Sequence, residues 1–211
     1  MNEDTLLFLL PSAIALSIER LSYLWIWRNP LSFQALCARA SDSIDPVTAV
    51  QRLFYGFKAI QLVVFFAWIA GHGNWFSQDE AQFLTSEPVA IALGCALGAF
   101  GQILNFSVFC RLGRTGTFYG VRFGRDVPWV RGFPFSILDH PQYVGTVASI
   151  WALFLLTRFP EPDWIVLPLL ETVYYVLGAR FERDAGDRAD DKDGPRTATA
   201  VGERSTSSAR R

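Results

Sequence analysis

The 211-residue sequence lacks the patterns that would indicate a disulfide-bonded or metal-binding protein. Its three cysteines, Cys37, Cys95 and Cys110, show neither paired nor metal-ligand spacing. Two of them lie within or at the end of an uncharged run, where a thiol behaves as a small apolar group. The formal net charge of −1 gives no indication of a nucleic-acid or acidic partner. We therefore expect no disulfide framework, metal site, catalytic cysteine or nucleic-acid binding.

The N-terminus also lacks the basic stretch and the small-residue cleavage site of a secretory signal. Glu3 and Asp4 precede the first apolar run, so we interpret that run as part of the mature protein. What the sequence does contain is long apolar stretches, above all residues 89–110, which carry no formal charge. A helix of that length crosses a ~30 Å hydrocarbon layer at ~1.5 Å per residue. A buried helix of a soluble protein is the alternative.

Apolar segments along the chain predict an all-α fold, a polytopic helical bundle in a membrane. They cover residues 5–27, 53–70, 89–110, 143–157 and 164–179. The first segment is interrupted by Pro11 and by the adjacent Glu19 and Arg20. It either crosses the membrane with its charges facing protein or re-enters one leaflet, and we favour the re-entrant alternative. The next two segments are spans, and Lys58 lies near enough to one end to reach the interface. The last two form a helical hairpin, because two prolines separate them.

The charges of the loops predict an orientation. Residues 71–88 contain three acidic residues and no lysine or arginine, whereas residues 111–142 contain five arginines. The positive-inside rule therefore places residues 111–142 and the C-terminus in the cytoplasm, and residues 71–88 outside the cell or in a lumen. Residues 185–211 are charged and small, so we expect a membrane domain at 1–184 and a disordered cytoplasmic tail at 185–211.

The stretch 112–145 is rich in glycine, arginine and aromatic residues. Its first three glycines permit close backbone approach or a positive φ, but they do not follow a strand as a dinucleotide-binding motif would. The arginines can hold an anionic lipid headgroup. His140 precedes the hairpin and is a candidate proton acceptor, although it could instead cap a helix or bind a phosphate. Glu171, within the last segment, either lines a polar cavity or pairs with an arginine.

Residues 112–124, Phe-Pro-Phe at 133–135 and Asp-His-Pro-Gln-Tyr-Val-Gly at 139–145 resemble the phosphatidylethanolamine N-methyltransferase family. These are small membrane enzymes that make phosphatidylcholine, and the order of elements agrees over roughly residues 10–183. The resemblance implies S-adenosylmethionine-dependent methylation of ethanolamine phospholipids, phosphatidyl-N-methylethanolamine among them. It implies an endoplasmic reticulum membrane, or the inner membrane of a bacterium, and no obligate protein partner is evident.

The family's cofactor motifs fall on two parts of the sequence. Its glycine–any–glycine motif on the third span falls on residues 99–101, where alanine replaces the first glycine. Its pair of glutamates after the last span falls on Glu182 and Arg183, so only one acid remains. The resemblance therefore implies cofactor binding by Ala99, Phe100, Gly101, Tyr143, Gly145, Glu182 and Arg183.

The implied chemistry is a direct displacement that depends above all on alignment. The amine must be neutral to attack, so a base such as His140 or Glu182 is expected to be catalytic. Tyr143 or Phe118 can stabilise a cationic donor through its ring. Two alternatives remain: an isoprenylcysteine carboxyl methyltransferase-like enzyme, which shares the His-Pro-x-Tyr-x-Gly pattern, and a non-catalytic membrane protein that keeps the fold.

Overall fold

A computed structural model of the protein describes residues 3–41, 43–72, 87–127, 130–157 and 162–193, and the regular structure in these ranges is helical. The α-helices are α1 (Glu3–Arg28), α2 (Pro30–Ala40), α3 (Pro46–His72), α4 (Pro88–Thr117), α5 (Pro141–Leu156) and α6 (Val166–Asp193). Two short 3₁₀ helices, Gly120–Phe123 and Pro162–Ile165, precede α5 and α6 respectively. Each of helices α2 to α5 begins with a proline, whose missing N–H would have no partner in the first turn.

The predicted all-α membrane bundle is confirmed. Within the described ranges, four stretches are long and apolar enough to cross a bilayer: Leu6–Arg28, Pro46–Gly71, Pro88–Phe123 and Pro162–Glu182. Helix α5 is apolar but has only 16 residues, which gives a rise of about 24 Å. Large apolar side chains cover the outside of the bundle, such as Leu7, 74 % exposed, and Phe106, 71 % exposed. A surface of this kind is suited to lipid rather than to water.

Helix α1 is continuous, whereas the sequence suggested an interrupted segment that either crosses with its charges facing protein or re-enters one leaflet. It runs without a break from Glu3 to Arg28, with Pro11 inside it, and is long enough to cross. The buried Ser12 hydroxyl, next to the proline, donates to the Phe8 carbonyl at 2.8 Å and so has a partner within the helix. Glu19 is 3 % exposed, so the charge that suggested re-entry faces protein instead.

Other boundaries differ from the predicted ones. Helix α2 was not predicted; it packs Phe33 and Cys37 into a core cluster with Val47 and Val50 of α3. Helix α4 continues past residue 110 by way of a kink at Gly113, where φ is 61° and ψ is −170°. Only glycine adopts that backbone conformation readily.

The ends of two predicted elements fall at the limits of the described ranges. Helix α6 runs on to Asp193, beyond the expected domain boundary at residue 184, whereas residues 194–211 lie outside the described residues. The division into a domain and a disordered tail therefore stays a prediction. The proline-containing connection of the expected hairpin lies largely outside the described residues as well, since residues 158–161 are not described.

Helices α4 and α5 lie antiparallel in close contact along a row of small residues. A Cβ atom placed on Gly101 would lie 2.5 Å from the Gly145 carbonyl oxygen, and one placed on Gly145 would lie 2.8 Å from the Gly101 carbonyl oxygen. Further along the pair, Gly98 faces Ala152. Small residues let two backbones approach in this way, and such contacts stabilise helix pairs in membranes, where packing replaces the hydrophobic effect. The contact fixes α5 against α4.

Replacing Gly101 with alanine should destabilise the folded protein by about 1–3 kcal/mol, because the new methyl group would overlap backbone atoms that cannot move independently. Thermal unfolding in detergent measures the effect. Gly98→Ala is the matched control, since its Cβ would lie 3.4 Å from the Ala152 Cβ, an ordinary contact distance. Equal unfolding temperatures for the two variants would contradict the proposed helix contact.

Candidate active site

One end of the bundle contains a cavity of about 210 Å³, called here the end cavity. The C-terminal parts of α1 and α4, the middle of α6 and the N-terminal parts of α3 and α5 surround it. Most of the side chains discussed below line this cavity: Arg20, Tyr23, Trp27, Tyr119, His140, Tyr143 and Glu182.

The Glu182 carboxylate is the central acceptor on the wall of the end cavity. The hydroxyl groups of Tyr119 and Tyr143 both donate to its Oε1 atom, at 3.1 and 2.5 Å. Among the described residues no lysine or arginine forms an ion pair with Glu182. A carboxylate without such an ion pair, beside aromatic rings, is suited to a cationic ligand, which both the charge and the ring faces attract.

His140 lies on the same wall, immediately before α5. Its ring stacks on that of Tyr143, with 5.7 Å between centroids and 17° between planes. The imidazole forms no side-chain hydrogen bond that caps the helix. His140 is nevertheless the N-cap residue of α5, as one alternative from the sequence had it, and its backbone carbonyl accepts from the Tyr143 and Val144 N–H groups at 3.1 and 3.2 Å.

The segment after α4 carries Tyr119 into the site and is attached to the bundle by arginines. Arg122 donates from Nε and from a terminal nitrogen to the Trp27 carbonyl oxygen, at 3.1 and 2.8 Å. Arg125 pairs with Asp45 at 2.9 Å, and Arg114 donates to the Thr48 hydroxyl. Three of the five arginines that were expected to hold a lipid headgroup thus bind α1, α3 and the residue before α3.

Deeper in the bundle, charged residues of α1, α3 and α6 neutralise one another. Lys58 lies 3.0 Å from Glu19, and Arg20 lies 3.4 Å from the same carboxylate. Gln61 donates to Glu171 at 2.9 Å, and Arg20 approaches Glu171 to 3.9 Å. Glu171 therefore pairs with an arginine of the bundle. The prediction that Lys58 reaches the interface is wrong, because Glu19 offers it a partner inside.

The structure brings together three of the predicted site residues: His140, Tyr143 and Glu182. Gly101 and Gly145, predicted to bind the cofactor, instead face each other in the α4–α5 contact. Phe118, a predicted aromatic contact, lines the end cavity but is 4 % exposed.

The remaining predicted residues lie elsewhere. Ala99 and Phe100 are exposed on α4. Phe100 lines an apolar groove of about 540 Å³ between α4, α5 and α6, called here the lateral groove, which also contains His140 and Tyr143. Arg183 lies in α6, but its side chain is outside the described part of the structure.

Sequence reasoning missed Tyr119 as a partner of Glu182. Tyr119 lies within the glycine-rich stretch, but nothing in the sequence connects it with a glutamate 63 residues later. Its left-handed backbone, with φ of 60°, follows from the local turn and has no distinctive sequence signal. Tyr23 of α1 was likewise interpreted only as part of an apolar segment, and Trp27 only as an aromatic residue near the end of that segment.

Comparison with known proteins identifies the family. The sequence model of the family described as phospholipid methyltransferase matches residues 89–188. A phosphatidyl-N-methylethanolamine N-methyltransferase of Arabidopsis thaliana is 39 % identical over 130 residues, which cover 62 % of this chain and 68 % of that protein. The chain belongs to the phospholipid methyltransferase family.

Other relatives of this phospholipid methyltransferase match over a shorter part. The phosphatidylethanolamine N-methyltransferases of Rattus norvegicus and Homo sapiens are 38 % and 36 % identical, each over 109 residues. Those residues cover 50 % of this chain and 52 % of each relative, so the chain spans about half the length of these two proteins. No solved structure gives a significant match. The family match includes His140, Tyr143 and Glu182 but not α1, α2 or α3.

Asp45 lies directly before α3 and pairs with Arg125. This ion pair holds the segment that follows α4, which contains Tyr119, against the start of α3. The Oδ2 atom of Asp45 accepts from the Thr48 backbone N–H at 3.1 Å and from the Thr48 hydroxyl at 3.2 Å, as an N-cap does. Burial opposes ionisation of the carboxyl, but the bonds from Thr48 and the charge of Arg125 outweigh it, so the pKa of Asp45 lies below its ordinary value. The ionised form is therefore the one the fold stabilises.

Asp45→Ala should reduce stability at pH 7 by ~1 kcal/mol, the usual value of such a cap. The pKa of Asp45 is lower in the folded protein than in the unfolded chain. The ionised carboxyl therefore stabilises the protein at pH values above the ordinary aspartate pKa of about 3.9. That stabilisation is lost as the pH falls through the folded pKa. Unfolding temperatures of both proteins, measured from pH 7 downwards, should converge. Asp45→Asn, which keeps a capping side chain, should lose less stability than Asp45→Ala. A difference in unfolding temperature between the wild-type protein and Asp45→Ala that does not depend on pH would contradict the role of the charge.

Proposed function

We propose that this protein transfers methyl groups from S-adenosylmethionine to the headgroup nitrogen of phosphatidyl-N-methylethanolamine and related ethanolamine phospholipids, towards phosphatidylcholine. The observation that carries the proposal is the Glu182 carboxylate, held by two tyrosine hydroxyls at the polar end of a membrane helical bundle. Both the methyl donor and the lipid headgroup carry a cationic group that such a carboxylate attracts. The names of the relatives from Arabidopsis thaliana and Homo sapiens support the substrate class.

The side chains of the end cavity fit a sulfonium cofactor. Glu182 provides an acceptor for an ammonium or hydroxyl group, and the rings of Tyr119 and Tyr143 provide faces for a cation. Gly101 and Gly145 serve this site by position, because their contact sets α5, and with it Tyr143, against α4. When bound, S-adenosylmethionine supplies an electrophilic methyl group and leaves as S-adenosylhomocysteine.

The residues of the chain align the reactants and move a proton. The lipid ammonium has no lone pair, so it first transfers a proton to a base. His140 is the base that we propose, because it borders both the end cavity and the lateral groove. The neutral nitrogen would then be free to attack the methyl group that a bound donor supplies, with the cavity residues aligning the two reactants. Glu182 holds a cationic group beside the reaction, where the product nitrogen again carries a positive charge.

The two openings of the site suit the two reactants. The lateral groove is apolar, with Leu97, Val144 and Val147 among its lining residues, and is suited to lipid acyl chains arriving from the bilayer. The end cavity lies at the arginine-rich end of the bundle, which the positive-inside rule assigns to the cytoplasm. We propose a multi-pass protein of the endoplasmic reticulum, or of the inner membrane in a bacterium, that takes its cofactor from the cytoplasm.

A product assay tests this function. Membranes containing the protein are given S-adenosylmethionine with a labelled methyl group and ethanolamine phospholipids of each methylation number, or a farnesylated cysteine analogue. Label is expected in the N-methylated lipids. Label in the farnesylated compound alone would indicate an isoprenylcysteine carboxyl methyltransferase, and label in neither would indicate a non-catalytic membrane protein.

Glu182→Gln should reduce methyl transfer to phospholipid by about 100-fold or more, because it removes the charge while keeping the size of the side chain. The initial rate in the lipid assay measures the loss. Glu87→Gln is the matched control. Glu87 is exposed at the start of α4, whereas the other end of that helix lines the end cavity. Unchanged activity of Glu182→Gln would remove this carboxylate from the site.

A further inference from the structure

Helix α1 presents three buried hydrogen-bond donors that have no acceptor among the described residues. They are the Nε atom of Arg20, the hydroxyl of Tyr23 and the indole nitrogen of Trp27. Spacings of three and four residues place these side chains on one face of the helix, and all three line the end cavity. A buried donor without a partner is destabilising, so three of them on one face of a cavity indicate a ligand.

Neighbouring residues hold these three side chains in place. Arg20 lies 3.4 Å from Glu19. The rings of Tyr23 and Trp27 both pack edge-on against the ring of Tyr119, with centroids 6.1 and 5.2 Å away. The donors are therefore positioned by the fold before any ligand binds.

The chemistry of the donors selects an anion. A guanidinium group and an indole N–H donate but do not accept, and the guanidinium is always charged. Glu19, the nearest carboxylate on α1, is already bonded by Lys58 at 3.0 Å. A carboxylate or a phosphodiester of a ligand would satisfy all three donors at once.

Another wall of the end cavity offers an acceptor, the Glu182 carboxylate. Tyr119 joins the two walls, because its ring contacts Tyr23 and Trp27 while its hydroxyl donates to Glu182. The cavity thus has a donor wall on α1 and a carboxylate on α6, about one aromatic side chain apart. A ligand that carries both an anionic and a cationic group fits this arrangement.

We propose that Arg20, Tyr23 and Trp27 form an anion-binding wall, which binds the anionic group of a zwitterionic ligand whose cationic end lies at Glu182. This inference rests on the proposed function, which offers two such ligands. One is the amino-acid end of the methyl donor, with its carboxylate, and the other is the phosphoethanolamine headgroup, with its phosphodiester. In either case α1, which lies outside the family match at residues 89–188, supplies part of the site.

Tyr23→Phe and Trp27→Phe test the wall, since each removes one donor and leaves the ion pairs of Arg20 intact. Binding of S-adenosylhomocysteine and of 5′-methylthioadenosine, which lacks the amino-acid end, is measured by calorimetry on the purified protein in nanodiscs. If the wall binds the carboxylate, each variant should bind S-adenosylhomocysteine about tenfold more weakly and 5′-methylthioadenosine equally well. If it binds the phosphodiester, both affinities stay unchanged and KM for the ethanolamine phospholipid rises about tenfold.

Tyr174→Phe is the matched control, because the Tyr174 hydroxyl donates to the Ala13 carbonyl at 3.2 Å and does not line the end cavity. It should lower the unfolding temperature and leave binding and KM unchanged. Tyr23→Phe should not lower the unfolding temperature, because the hydroxyl that it removes has no partner in the described part of the chain. This opposite pattern separates ligand binding from folding.

The outcomes also separate the two proposals. If an active wild-type protein and both Phe variants share the same affinities and the same KM, the anion-binding wall is refuted and the proposed function stands. If the wild-type protein neither binds S-adenosylhomocysteine nor methylates lipid, the proposed function is refuted. The anion-binding wall, which rests on that function, is then refuted as well.

Discussion

The ion pair between Lys58 and Glu19, at 3.0 Å, is the interaction on which the arrangement of the bundle depends. A charge inside a bilayer is costly unless it is paired or hydrated, so α1 and α3 gain stability by packing with these two residues in contact. Arg20, the neighbour of Glu19, reaches towards Glu171 and connects α6 to the same network. An apolar segment that carries two adjacent charges can therefore remain a continuous helix, long enough to span.

The ion pair and the glycine contact between α4 and α5 position different walls of one cavity. The first sets the rotation of α1, and hence the direction in which Tyr23 and Trp27 face. The second sets α5 against α4 and places Tyr143 within 2.5 Å of Glu182. Tyr119 connects these two halves of the bundle, because its ring lies against α1 and its hydroxyl bonds to α6.

Much of the fold could be predicted from the sequence because a bilayer allows few solutions. Long apolar runs must be helical in lipid, where each backbone N–H needs a partner within its own segment. Helix α2 was not predicted because it is short and only partly apolar. Its helical state depends on packing Phe33 and Cys37 against α3. Lys58 was misplaced for a related reason, since its partner Glu19 lies 39 residues earlier, on a different helix.

The site was predictable only where one local motif carries it. His140 and Tyr143 lie three residues apart, so the motif that contains them is visible in the sequence, and the structure places both on the end cavity. Gly101 and Glu182 come from separate motifs, and nothing in either motif shows whether its residue contacts a ligand or another helix. Gly101 proves to contact α5, whereas Glu182 faces the cavity between two tyrosines.

A reaction between a membrane lipid and a water-soluble donor imposes a further constraint, which the position of His140 and Tyr143 satisfies. The two reactants arrive from media that do not mix, so the reacting atoms must meet where a polar cavity adjoins an apolar groove. His140 and Tyr143 border both spaces, and their stacked rings form part of the boundary between them. In the function that we propose, a base in that boundary takes a proton from a headgroup whose acyl chains remain in lipid. The short helix α5 suits this position. Its sixteen residues begin at the end cavity, and one side of the helix lines the lateral groove.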